Sequence, residues 1–244
     1  MTEILFEDGL FHLRNERISY VVKLVNGKYL MHAYWGRRLR ALKGDLLHRF
    51  VETPESELTL NETPLDSLPQ EMPTFGYGDM REGALHLRAE NGASAIGLEY
   101  RSYEIIDGKP ALDGLPSTFG EGCQTLKLTL VDDVIGLACD LFYSIFDDCD
   151  IIARHTELRN IGAQKLVLDQ VMSACVDFHY SHFELITLSG AWSRERRLDR
   201  RPIAQGRQGV SSAHGASSLQ TSPFLALVDP RADETRGDVY AMSL

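Results

Sequence analysis

The sequence predicts an all-β protein, an antiparallel β-sandwich, and three observations carry that prediction. Apolar and polar residues alternate over short runs, most cleanly in Thr125-Leu126-Lys127-Leu128-Thr129-Leu130, as in a strand with one wet face. Turn signals separate the runs: Asp8-Gly9, Asn26-Gly27, Asn91-Gly92 and Asp107-Gly108 are pairs that tolerate positive φ. No stretch of about ten residues keeps a helical period. Roughly a dozen short strands with turns between them are the signature of a sandwich.

In chain order, Ile4 to Leu13 reads as a strand turning at Asp8-Gly9. Ser19 to Trp35 is a hairpin about Asn26-Gly27, and Leu85 to Tyr100 a second about Asn91-Gly92. Between them, residues 37–73 form a long connection, basic at Arg37, Arg38, Arg40 and Lys43, then rich in Glu and Pro. Connections of that length in compact domains are functional or disordered. Arg101 to Ile106 is a strand. Gly136 to Phe146 puts Leu137, Cys139, Leu141, Tyr143 and Ile145 on one face. Ile151 to Leu158 follows, and Lys165 to Phe178 places Leu166, Leu168, Gln170, Met172, Ala174 and Val176 together. Glu184 to Leu188, Phe224 to Val228 and Asp238 to Leu244 are the last strands. The final apolar run stops without cap or polar tail. A raw sheet edge there leads us to expect a domain incomplete at its carboxy-terminal side.

Composition narrows the function. With 35 acidic and 25 basic residues the net charge is −10, so a nucleic-acid partner is disfavoured. No run of ~18 apolar residues is present to span a membrane, and the start lacks a signal-peptide pattern. Cys123, Cys139, Cys149 and Cys175 show no C-x-x-C spacing, so we expect reduced core thiols in a cytoplasmic protein and no zinc. Asp147-Asp148-Cys149-Asp150 lacks calcium-loop spacing and reads as a solvated turn. His179 and His182 have no evident third ligand and read as surface histidines. We expect no metal and no cofactor. Ser211 to Ser218 is a small-residue loop, read as a tight turn. No nucleophile elbow, phosphate loop or dinucleotide fingerprint occurs.

One stretch stands apart: Gly190-Ala191-Trp192-Ser193-Arg194-Glu195-Arg196-Arg197, holding one of two tryptophans. An indole face suits the C–H side of a pyranose, and Arg and Glu suit its hydroxyls. The plainer alternative is a strand-end Trp under a surface salt-bridge ladder.

Six stretches occur in order: His32 to Gly36, Leu68 to Pro73, Gly78 to Arg81, Gly108 to Pro116, Met172 to Ala174, and Gly190 to Arg196, joined by Ser217-Ser218, Gln220 and Pro223-Phe224. Together they resemble the amino-terminal domain of glycoside hydrolase family 36 α-galactosidases. The match runs from about residue 5 to the end. The resemblance implies a galactose-mutarotase-like β-supersandwich over 1–244, followed in the family by a (β/α)8 barrel. It implies retaining hydrolysis of terminal α-galactosides such as raffinose and melibiose, without metal. The family's Lys-Trp-Asp nucleophile run and its acid/base belong to the barrel, so no catalytic residue is expected in this chain. The resemblance further implies a homo-oligomer, commonly a tetramer, in which the motif's tryptophan, Trp192 here, reaches a neighbouring subunit's sugar pocket. An acidic contact from the 43–57 loop is left open among Asp45, His48 and Glu52. Where the family usually has Arg and His, this sequence has His214 and Leu219. Two other functions stay in view: a free-standing carbohydrate-binding or structural β-sandwich, and a domain of a raffinose-type α-glycosyltransferase.

Overall fold

The structure is a computed structural model that describes residues 1–42, 65, 67–76, 81–114, 117–178, 180, 182–214 and 219–244. The described residues contain fourteen strands, all paired antiparallel, and no helix. The chain divides into two compact units, residues 1–177 and 178–244.

The first unit holds three sheets. One is a meander of β1 (Glu3–Glu7), β2 (Leu10–Arg14), β3 (Ile18–Val25) and β4 (Tyr29–Arg37). The expected hairpin is present: Asn26 and Gly27 take φ of 52° and 71°, and Val25 pairs with Tyr29. The second sheet is a ribbon of β5 (Leu85–Ala89) and β10 (Leu166–Val171). The third is a meander of β6 (Glu99–Asp107), β7 (Cys123–Asp132), β8 (Leu137–Phe146) and β9 (Ile152–Asn160). Their inward side chains make one core, in which Phe11, Leu13 and Val22 meet Leu85, Leu87, Leu126, Leu128 and Leu141. Asn15, 1% exposed, fixes the meanders to each other. Its Nδ2 donates to the carbonyls of Phe146 and Cys149, each at 2.9 Å, and its Oδ1 accepts from the amides of Arg17 and Ile18 at 2.8 Å. With its donors and acceptor engaged, the buried amide has its desolvation cost offset by hydrogen bonds.

Inside this unit lies a buried polar cluster. Residues 69–71 run along β4: the amide of His32 donates to Pro69 O, and that of Glu71 to Leu30 O. This places the Glu71 carboxylate in the core. Tyr20 and Tyr143 donate to it at 2.8 and 2.9 Å, His32 Nδ1 donates at 3.1 Å, and the Arg154 guanidinium lies 3.0 Å away.

Four expectations need correction. Asn91-Gly92 turns the chain but makes no hairpin, since β5 pairs with β10 and β6 with β7. Residues 93–98 are irregular. Ala93, Ser94, Ala95 and Gly97 offer no large cross-strand partner, and Ile96 is buried instead, its amide on Phe75 O. β8 is buried on both faces, not one, because long side chains of its neighbours cover the outer face: His155 stacks on Phe142, Lys127 lies over the same ring, and Arg159 covers Asp140. The 165–178 strand ends at Val171, and Leu168 is exposed. Cys175 therefore sits in irregular chain, half-buried, not in a strand.

The second unit is one four-stranded sheet ordered β12-β11-β13-β14, comprising β11 (Glu184–Ala191), β12 (Arg194–Pro202), β13 (Thr221–Val228) and β14 (Val239–Ser243). Ile186, Phe224, Ala226, Val228 and Ala232 form its own apolar cluster.

Candidate functional site

The stretch singled out in the sequence is the tip of the β11–β12 hairpin. Ala191 pairs with Arg194, so Trp192 and Ser193 alone make the turn. Only the second of them has positive φ, 64° at Ser193. Two-residue turns of that kind favour glycine at this position, and serine there costs about 1 kcal/mol. An acceptor offsets the cost: the amide of Ser193 donates to Glu195 Oε1 at 2.9 Å. The register then steps from Ala191↔Arg194 to Ser189↔Arg197. Glu195 and Arg196 together oppose Gly190, a β-bulge, with Arg196 at φ 56°.

Gly190 is required by space. A Cβ there would meet Arg194 O at 2.6 Å, Glu195 Cα at 2.9 Å and Leu219 O at 3.0 Å, all backbone. Its amide donates to Gln220 O at 3.3 Å. The turn is therefore held on both sides, by its own bulge and by the chain entering β13. It presents the Trp192 indole 82% exposed. Lone exposed apolar residues are ordinary; this one stands on a turn held by its own bulge and by the chain entering β13.

Beside the turn is an open groove of about 650 Å³, lined by Leu188, Glu195, Arg196, His214, Leu219 and Gln220 among others. One carboxylate, one guanidinium, an amide and an imidazole over two leucines can exchange hydrogen bonds with hydroxyls. The salt-bridge ladder expected behind Trp192 is displaced along the hairpin. Arg200 bonds Glu184, and Arg201 bonds Asp199 at 2.6 Å.

The other sequence candidates separate clearly. Asp147 Oδ1 accepts the Thr2 amide, and Asp150 Oδ1 accepts Arg17 Nε at 2.5 Å. The acidic turn is thus occupied in closing the first unit, as a structural turn should be. Asp45, His48 and Glu52 lie outside the described residues, as do His179 and residues 215–218 of the small-residue loop. Among the described residues no three His, Cys, Asp or Glu side chains are gathered as a metal would need.

The cluster around Glu71 is the group of titratable residues that sequence reasoning missed. His32 and Glu71 appeared there only inside separate motifs, and their 39-residue separation hid the pairing. Burial opposes the charge on Glu71, but Arg154, His32 and Tyr20 outweigh it and hold the carboxyl below its ordinary pKa. Burial pushes both tyrosines well above theirs. Tyr20, His32, Glu71 and Tyr143 are all buried, the Arg154 side chain is 9% exposed, and all five bond to one another. Its chemistry is that of a structural ion pair.

A family model for the glycosyl hydrolase family 36 N-terminal domain matches residues 28–244. The chain is 40% identical to alpha-galactosidase AgaA of Geobacillus stearothermophilus over 96% of its own length and 33% of that protein's. It is 38% identical to alpha-galactosidase Mel36A of Lactobacillus acidophilus, over 99% and 34%. Among solved structures, GH36 alpha-galactosidase AgaB of G. stearothermophilus superposes with a TM-score of 0.90 at 38% identity, covering 98% of this chain and 34% of that one. An AgaA variant solved in complex with raffinose superposes at 0.88 and 38% identity, over 95% and 33%. The chain thus spans about a third of the length of the relatives it matches.

Proposed function

The chain belongs to glycosyl hydrolase family 36, whose N-terminal domain it is, and on that premise we propose that it serves an α-galactosidase acting on raffinose-type oligosaccharides and melibiose. Its own part is to assemble a homo-oligomer in the cytoplasm and to supply Trp192 as one wall of a neighbouring subunit's sugar pocket. Hydrolysis with retention is assigned to two carboxylates of a (β/α)8 barrel following residue 244. A domain that spans a third of its relatives' length agrees with that division, and four unbridged cysteines agree with a reducing compartment.

The observation that carries the reading is the Trp192 indole, 82% exposed on a turn fixed by Gly190 and Glu195. A flat apolar face carried on a fixed backbone offers a sugar ring a ready stacking surface.

The test uses the complete polypeptide carrying this domain. Trp192→Ala is expected to raise KM for raffinose about fivefold to 150-fold, the loss of ~1–3 kcal/mol typical of an aromatic stacking face, with the effect on KM rather than kcat. An unchanged KM returns Trp192 to a surface residue. The 244-residue chain alone is expected not to hydrolyse a nitrophenyl α-galactoside, and mutation-sensitive turnover by it would overturn the assignment of chemistry to a separate barrel.

A further inference from the structure

We infer that Glu195 is the positioning residue of the Trp192 contact: it acts on the sugar through the turn, by holding the Ser193 amide. The inference rests on the proposed role of Trp192 and deepens it.

Three features of the hairpin support it. Ser193 and Arg196 both stand in the left-handed region, at 64° and 56°, where an L-residue stays only if its surroundings hold it. The Ser193 amide points out of the hairpin ladder, and Glu195 Oε1 accepts it at 2.9 Å. Gly190 admits no Cβ beneath Arg194 and Glu195, so the bulge that aims Glu195 back at the turn is fixed from below. The carboxylate is therefore a clamp across the two residues that set the direction of the indole. Without it, water replaces the acceptor and the turn gains access to other φ values at both left-handed positions. Trp192 would then spread over several orientations, and a ligand would have to select one of them.

An acceptor oxygen is all the clamp requires. A glutamine at 195 retains Oε1 and should preserve it, whereas an alanine removes it. A charge-based role would show the reverse, with glutamine as damaging as alanine.

The experiment measures KM and kcat for raffinose in the complete polypeptide for Glu195→Ala, Glu195→Gln, Trp192→Ala and the Trp192→Ala/Glu195→Ala double variant. We expect Glu195→Ala to raise KM about threefold to tenfold, the worth of one net hydrogen bond, and Glu195→Gln to stay near the parent. Because Glu195 acts through Trp192, the double variant should match Trp192→Ala alone. An equal effect of Glu195→Ala in both backgrounds would mean that Glu195 meets the sugar itself, and overturns the inference. A parent-like KM for Glu195→Ala beside a raised KM for Trp192→Ala overturns it too. A parent-like KM for Trp192→Ala instead defeats the proposed function.

Discussion

The Arg154 guanidinium meets the Glu71 carboxylate at 3.0 Å with side-chain exposures of 9% and 0%. They arrive from parts of the chain 83 residues apart, β9 and the segment hydrogen-bonded along β4. Arg154 also donates to the hydroxyls of Tyr20 and Tyr143 at 3.0 and 3.1 Å, and those hydroxyls donate onward to Glu71. Its guanidinium carbon lies 4.3 Å from the Tyr143 ring centre. Every oxygen in the cluster is thus both charged or polarised and partnered, the condition under which a buried pair is tolerated.

Breaking that pair from one side should be severe. Glu71→Gln leaves the Arg154 charge buried beside neutral groups, and we expect a loss of roughly 3–5 kcal/mol in urea unfolding. The Glu71→Gln/Arg154→Met double variant should lose much less than the two single losses added together, because no charge is then stranded. The exposed Arg88–Asp169 pair, at 2.7 Å, is the control: Arg88→Gln should leave the midpoint almost unmoved. Equal losses at both sites would mean that the buried cluster is no more than a surface pair.

The strands that alternate or carry Asn-Gly turns were legible from sequence, since period and φ preference are local properties. The β3–β4 hairpin and β7 are where those signals put them. β12 was not legible. Arg-Glu-Arg-Arg-Leu-Asp-Arg-Arg-Pro has no apolar face to reveal a strand, and it is one only because β11 supplies its hydrogen-bonding edge. The false hairpin at Asn91-Gly92 has the opposite cause: a strong local turn without cross-strand partners to follow it. The Trp192 turn was visible as a motif. The acceptor role of Glu195 was not, because it depends on a bulge that only the register discloses.

Mild acid should act on the first unit through histidine. His12 is buried, with Nε2 2.8 Å from Ser19 Oγ. Burial and the nearby Arg14 and Arg38, against Glu3, lower its pKa from 6.5 to about 4. His155 is lowered too, by burial and by Lys109 against Glu157. The unfolded chain therefore binds protons below 6.5 that the folded chain refuses down to about 4, so stability falls as pH falls through that window. Glu71 acts in the same direction but in a lower window: its lowered pKa adds stability that is lost only below its ordinary 4.5. Between pH 6.5 and 4.5 the histidines dominate. His12→Gln, which keeps a polar partner for Ser19, should flatten the decline of Tm between pH 7 and 4.5. A decline as steep as the parent's would show that His12 is protonated in the folded protein.

Gly190 sets the last expectation, because its requirement is spatial, not conformational. Its φ lies outside the left-handed region, yet an added methyl would stand within 3.0 Å of three backbone atoms on two neighbouring segments. Backbone cannot rotate away as a flexible side chain does, so Gly190→Ala must push β12 and the residues entering β13 apart. We expect a cost of ~1–3 kcal/mol, as for other overpacked sites, concentrated in the second unit. Hydrogen exchange should quicken at the amides of β11 and β12 around the turn, the Ser193 amide included, while those of β7 and β8 keep their protection. Gly209, which has nothing within 4 Å and no positive φ, is the matched control. Gly209→Ala should leave exchange as it is and add slightly to stability by restricting the unfolded chain. If Gly190→Ala behaves as Gly209→Ala does, the hairpin yields at little cost, and the turn carrying Trp192 is not held from below.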